Sequence, residues 1–154
     1  MAQLQREEKA VWFLDGEFLV GALTSMATIA IQALATVLVI RLGRNSTHHL
    51  SGRRRITTLL IVMGVAGVLL TFAHFLEVAV WATMYALLGV IHEKDAYYFA
   101  FVNFTTLGYG DMLPVARWRV LGPITAANGM LLFGWSTAVL FAVLSRVLRI
   151  LRLQ

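Results

Sequence analysis

Three long apolar runs alternate with polar connections along this chain. Residues 18–40 carry no charge and are almost all apolar. At about 1.5 Å per residue they reach ~34 Å, enough to cross a bilayer core. A second run, 56–91, and a third, 119–151, predict two more long helices, with Pro123 in the first turn of the third, where proline costs little. Residues 92–118 are too short for another passage out and back. They predict a short helix over 95–106 and an extended loop that returns to the same side. Such backbone at membrane depth is tolerated only where it is buried in protein or lines a water-filled path. The pattern predicts an all-α membrane protein with three transmembrane helices and one re-entrant helix and loop. It divides the chain into an outer segment 1–17, a first span 18–42, a basic linker 43–55 and a two-span unit 56–154.

Composition agrees. Of 154 residues, 59% are hydrophobic and 14% charged, too apolar for a soluble domain of this size. There is no cysteine, hence no disulfide frame and no thiolate metal site. Cleavage of the first run as a signal peptide is disfavoured by its length and by the acids before it, Glu7, Glu8, Asp15 and Glu17. The net charge of +5 raises the question of nucleic acid, but the arginines cluster beside the apolar runs, not in a basic groove interleaved with aromatics. Residues 41–55 hold five arginines and no acid. Residues 1–17 hold a net of −2, and 92–119 a net of zero. The positive-inside rule therefore puts the linker and C-terminus in the cytoplasm and the N-terminus outside, in a plasma or inner membrane. The loop after the short helix then opens outward.

That loop contains the most informative run, Thr105-Thr106-Leu107-Gly108-Tyr109-Gly110-Asp111. It resembles the selectivity filter of the potassium channel family, whose loops read TVGYG. The resemblance covers residues 56–150. It implies an outer helix 56–91, a pore helix 95–106, a filter 106–110 and an inner helix 119–151, assembled as a fourfold homotetramer. It implies that the carbonyls of Thr106, Leu107, Gly108 and Tyr109, with the Thr106 hydroxyl, bind dehydrated K⁺. Gly110 would belong with them to the filter proper, and Tyr109 would point away from the axis and brace the filter against the pore helix. Asp111 would sit at the outer mouth, where a carboxylate ring concentrates cations. No reaction and no organic cofactor are implied.

The chain departs from the family pattern in places. Leu107 replaces the usual Val or Ile. Val102 stands where some relatives have a glutamate. Phe99 stands where some have a tryptophan whose N–H reaches the aspartate, so no polar partner for Asp111 is evident. Gly129 resembles the family's hinge glycine, with Gly134 five residues on; packing glycines are the equal alternative. Helical spacing turns Met130, Phe133, Thr137, Phe141 and Ser145 toward a central cavity. Phe141 reads as a hydrophobic constriction or as packing against a neighbour.

His74 and Glu77 lie three residues apart near the middle of the second run. Ionisable groups at that depth are costly and face protein or water. A structural pair and a proton-sensitive element both fit. Trp81 and Tyr85 on the same face read as interfacial or packing aromatics. Arg53, Arg54, Arg55, Arg149 and Arg152 are expected to meet anionic lipid headgroups. They do not recur every third residue within a span, so they are no voltage sensor. The chain ends at Gln154, so no nucleotide- or Ca²⁺-binding gating domain is expected. The alternatives to a K⁺-selective channel are a poorly selective cation channel of the same fold and an accessory subunit of other channel chains. An uptake-transporter subunit ranks last, because that class needs four such loops.

Overall fold

The computed structural model describes residues 2–45 and 55–150, which are helical or in short turns and loops with no strand among them. Helices α1 (Ala2–Asn45), α2 (Arg55–Leu87), α3 (Ala96–Phe104) and α4 (Leu121–Ile150) follow one another, with 3₁₀ turns at Glu93–Asp95 and Ala116–Trp118. Three segments are long and apolar enough to cross a membrane: Gly16–Gly43, Ile56–Leu87 and Ala116–Arg149. The protein is thus an all-α membrane protein. At nine residues, α3 is ~14 Å long and cannot span. The described residues form two compact units. One joins those up to Ile29 with Glu77–Leu131; the other joins Ala30–Leu76 with those from Leu132 on.

Helix ends differ from the sequence expectation. Helix α1 begins at Ala2, because the segment before residue 18 is rich in Ala, Gln, Leu, Glu and Lys, all good helix formers. Helix α2 stops at Leu87, four residues early. Gly89 takes a φ of +61°, and its N–H bonds the Ala86 carbonyl while the Val90 N–H bonds that of Tyr85. This is a Schellman stop with glycine at its left-handed position. Helix α3 covers 96–104 of the expected 95–106, and α4 starts at Leu121, two residues after Arg119. Arg53, Arg54, Arg152 and the linker at 46–54 lie outside the described residues.

Helix α1 is polar inside and apolar outside. Its buried positions include Glu17, Thr24, Thr28, Gln32, Ala35 and Val39. With buried Gly21 and Gly43 they form an 11-residue repeat. That is 3.67 residues per turn, close to a straight helix, so one face stays inward along its length. Phe18, Leu19, Leu23, Met26, Leu34 and Leu38 cover the opposite face and are exposed. Lipid is as apolar as leucine, so hydrophobic burial does not hold membrane helices together; close packing of small residues and hydrogen bonds do.

The second unit packs accordingly. Ala35 and Val39 of α1 meet Val62, Ala66, Leu70 and Ala73 of α2 and Val139, Val143 and Val147 of α4. Alanines and valines let the backbones approach closely. In the first unit, the Val115 N–H donates to the Val90 carbonyl at 3.1 Å. The excursion through α3 therefore leaves and returns at one place, as a re-entrant segment must.

Candidate functional site

The loop at 105–111 grows directly from the C-terminus of α3. The Thr106 N–H donates to the Asn103 carbonyl at 2.9 Å and the Leu107 N–H to that of Val102 at 2.9 Å. This too is a Schellman stop, but its left-handed residue is Thr106, at φ +60°. Glycine is the ordinary choice there, and a β-branched side chain is strained. The Gly108 N–H also bonds the Val102 carbonyl, at 3.3 Å, which ties the next turn of loop to the same helix end.

The backbone hand then alternates. Thr106, Gly108 and Gly110 have φ of +60°, +56° and +72°, while Leu107 and Tyr109 between them are not left-handed. Alternation of hand turns successive peptide groups the same way, gathering amides on one face and carbonyls on the other. Glycine meets this demand at two of the three positions. A loop of this hand can turn carbonyl oxygens toward a cation.

Asp111 has a partner that the sequence did not reveal. The Tyr98 hydroxyl donates to Asp111 Oδ2 at 2.7 Å. The expected neighbours behave otherwise: Phe99 is buried against Tyr85, rings edge-on at 5.1 Å, and Val102 is buried too. Tyr98 is one residue earlier on α3 and points to the loop. The hydrogen bond to the carboxylate, aided by its charge, holds the Tyr98 phenol above its usual value. A cavity of about 280 Å³ lies behind the loop, lined by Tyr98, Asn103, Gly108, Gly110, Asp111 and Arg119 among others.

Helix α4 is fixed against α3 and α2 by close approach and by polar ties. A Cβ on Gly129 would stand 1.9 Å from the Phe104 carbonyl oxygen, so this position requires glycine for packing alone. A Cβ on Gly134 would meet none of the described residues beyond its own helix turn within 4 Å. A Cβ on Gly122 would touch Asn103 Oδ1 at 3.0 Å. Trp81 Nε1 and Thr28 Oγ1 both donate to Asn128 Oδ1, at 3.0 and 2.9 Å. Tyr85 hydrogen-bonds Thr125 and the Leu121 carbonyl. Trp81 and Tyr85 are wholly buried, which makes them packing aromatics rather than interfacial ones.

The first helix contributes a carboxylate. Buried Glu17 accepts from the Val120 N–H through Oε2 at 2.8 Å, at the start of α4. A carboxylate suits a helix N-terminus, where unpaired amides and the helix dipole favour negative charge. Charge counting placed Glu17 in an outer segment; its target 103 residues on leaves no local trace.

His74 also has partners outside its own helix. Gln32 Nε2 donates to Ser136 Oγ at 2.7 Å, and Ser136 Oγ lies 3.0 Å from His74 Nε2. The His74 ring sits 4.6 Å from that of Phe133. Glu77 is fully buried. Among the residues expected to face a cavity, Met130, Phe133, Thr137 and Phe141 are exposed in the single chain, and Ser145 partly so. The Thr137 hydroxyl bonds back to the Phe133 carbonyl. Tyr109 is 67% exposed, so its own α3 does not bury it.

Residues 73–146 match the family model described as "Ion channel". No curated protein and no solved structure matches the chain. The matched residues begin at Ala73 in α2 and take in α3, the 105–111 loop and most of α4. Just under half of the chain is therefore similar to an ion channel family, and that likeness supports ion channel activity in a membrane-embedded helical protein rather than catalysis.

Proposed function

We propose that the chain is one subunit of a homotetrameric K⁺-selective channel that passes K⁺ down its electrochemical gradient. The observation that carries this reading is the alternating hand at Thr106, Gly108 and Gly110 within the Thr-Thr-Leu-Gly-Tyr-Gly-Asp run. Carbonyls of Thr106, Leu107, Gly108 and Tyr109 replace the ion's water shell. One loop supplies one wall, so closed fourfold symmetry completes the ring. The exposure of Tyr109 and Met130 in the single chain supports further copies covering them. Asp111 draws cations to the outer mouth. The arginine-rich linker faces the cytoplasm and the N-terminus faces outward.

Purified protein in liposomes tests the reading. Native mass spectrometry should give a tetramer, and K⁺ flux should far exceed Na⁺ flux. Equal fluxes would establish the poorly selective cation channel instead. A chain that conducts only when mixed with other channel subunits would be an accessory.

A further inference from the structure

Charge is distributed unevenly along this chain. No Asp or Glu occurs in 18–76 or 112–154, yet ten arginines do. The second unit therefore has basic groups and no acid of its own to neutralise them. Within it, an apolar groove of about 820 Å³ runs between α1 and α4. Ile40 and Gly43 line one side; Val139, Phe141 and Val143 line the other. Arg146 and Arg149 line it as well, further along α4 and three residues apart, hence on one helix face. Both are exposed, and neither has an ion pair with a described residue. The volume lies within the ~300–1,000 Å³ typical of small-molecule sites.

We infer that this groove binds an anionic glycerophospholipid, its acyl chain along Ile40, Val139 and Val143 and its phosphate on Arg146 and Arg149. A planar guanidinium can hold a phosphate through two hydrogen bonds. The apolar wall matches a hydrocarbon tail and gives a free phosphate nothing to touch. A second copy of this chain would bring the same acid-free unit to the arginines, so it fits the wall but not the charge. The site needs the membrane fold and is independent of conduction, so its test does not stand or fall with K⁺ selectivity.

Native mass spectrometry of the purified protein in mild detergent reads the binding directly. The probes are phosphatidylglycerol, phosphatidylcholine and glycerol phosphate. Phosphatidylglycerol should bind at least tenfold more tightly than either of the others. The double variant Arg146→Gln, Arg149→Gln should lose that preference. Ala142→Trp, which fills the groove and leaves both arginines, should weaken phosphatidylglycerol at least fivefold. A photoreactive residue in place of Ile40 should cross-link to lipid. Equal binding of the two lipids, or of the headgroup alone, overturns the assignment in the unaltered protein. A preference that survives the double variant, or cross-linking of position 40 to a second copy, overturns it as well.

Discussion

Tyr98 and Asp111 are joined by a 2.7 Å hydrogen bond that ties the first turn of α3 to the end of the 105–111 loop. Together with the three amides bonded to the Val102 and Asn103 carbonyls, it holds the loop at both ends. From Thr106 to Gly110 the backbone alternates in hand.

This bond has a titration consequence. A neutral phenol donates to the carboxylate; a phenolate would be repelled by it. The Tyr98 pKa is therefore raised. The contribution is fully present below the ordinary tyrosine value near 10 and is lost as pH rises through the higher folded-state value. The phenolate absorbance attributable to Tyr98, taken as wild type minus Tyr98→Phe, should appear at higher pH than free tyrosine. Asp111→Asn should return it toward the ordinary value. Coincident titrations would show that the bond does not form in the membrane protein. The same Tyr98→Phe change should alter the rate at which flux declines during sustained conduction.

Thr106 carries strain that glycine would not. A left-handed β-branched residue costs on the order of 1–3 kcal/mol, and the Schellman stop at Gly89 shows the unstrained solution in this same chain. Thr106→Gly should raise the fold's stability by about 1 kcal/mol while reducing K⁺ over Na⁺ selectivity, because the hydroxyl is lost. Thermal unfolding in detergent and liposome flux measure the two effects separately. A variant both less stable and equally selective would mean the threonine is held for packing.

The two glycines of α4 should respond oppositely to alanine. At Gly129 the new Cβ collides with the Phe104 carbonyl, and forced overpacking costs about 1–3 kcal/mol. At Gly134 no described residue beyond its own helix turn stands within 4 Å of a new Cβ, and alanine is the better helix former by about 1 kcal/mol. Melting curves of Gly129→Ala and Gly134→Ala should therefore move in opposite directions. If Gly129→Ala leaves stability intact and changes only open probability, a bending role outweighs the packing one.

Much of this architecture is legible in sequence because a bilayer imposes it. A run such as 18–40 must be a helix, and a segment as short as 92–118 must turn back. The loop was legible too, since Gly108 and Gly110 mark left-handed positions. Thr106 was not legible as a third such position, because side-chain type argues against it. Tyr98 was missed because the choice between positions 98 and 99 depends on how α3 is rotated, which short apolar helices do not encode. Glu17, Gln32 and Ser136 were missed for another reason. Polar residues in an apolar run announce a partner, but nothing local says which helix provides it.

Gln32 and Ser136 give the last prediction. Ser136 Oγ receives the Gln32 amide at 2.7 Å and lies 3.0 Å from His74 Nε2, so three helices meet at one hydroxyl. Both Gln32 and Ser136 are buried. Interhelical hydrogen bonds in membranes are nevertheless modest, about 0.6 kcal/mol on average and ~1.7 at most, because the separated helices find other partners. Gln32→Leu and Ser136→Ala should each destabilise the fold. In a double-mutant cycle on unfolding in detergent, the pair should show a coupling of about 0.6–1.7 kcal/mol. The corresponding cycle between Gln32 and Thr137, whose hydroxyl bonds its own helix at the Phe133 carbonyl, should show none. Additive effects at Gln32 and Ser136 would mean that α1 is held by close packing alone. A measured coupling would make this polar junction one of the ties that hold the additional helix to α4.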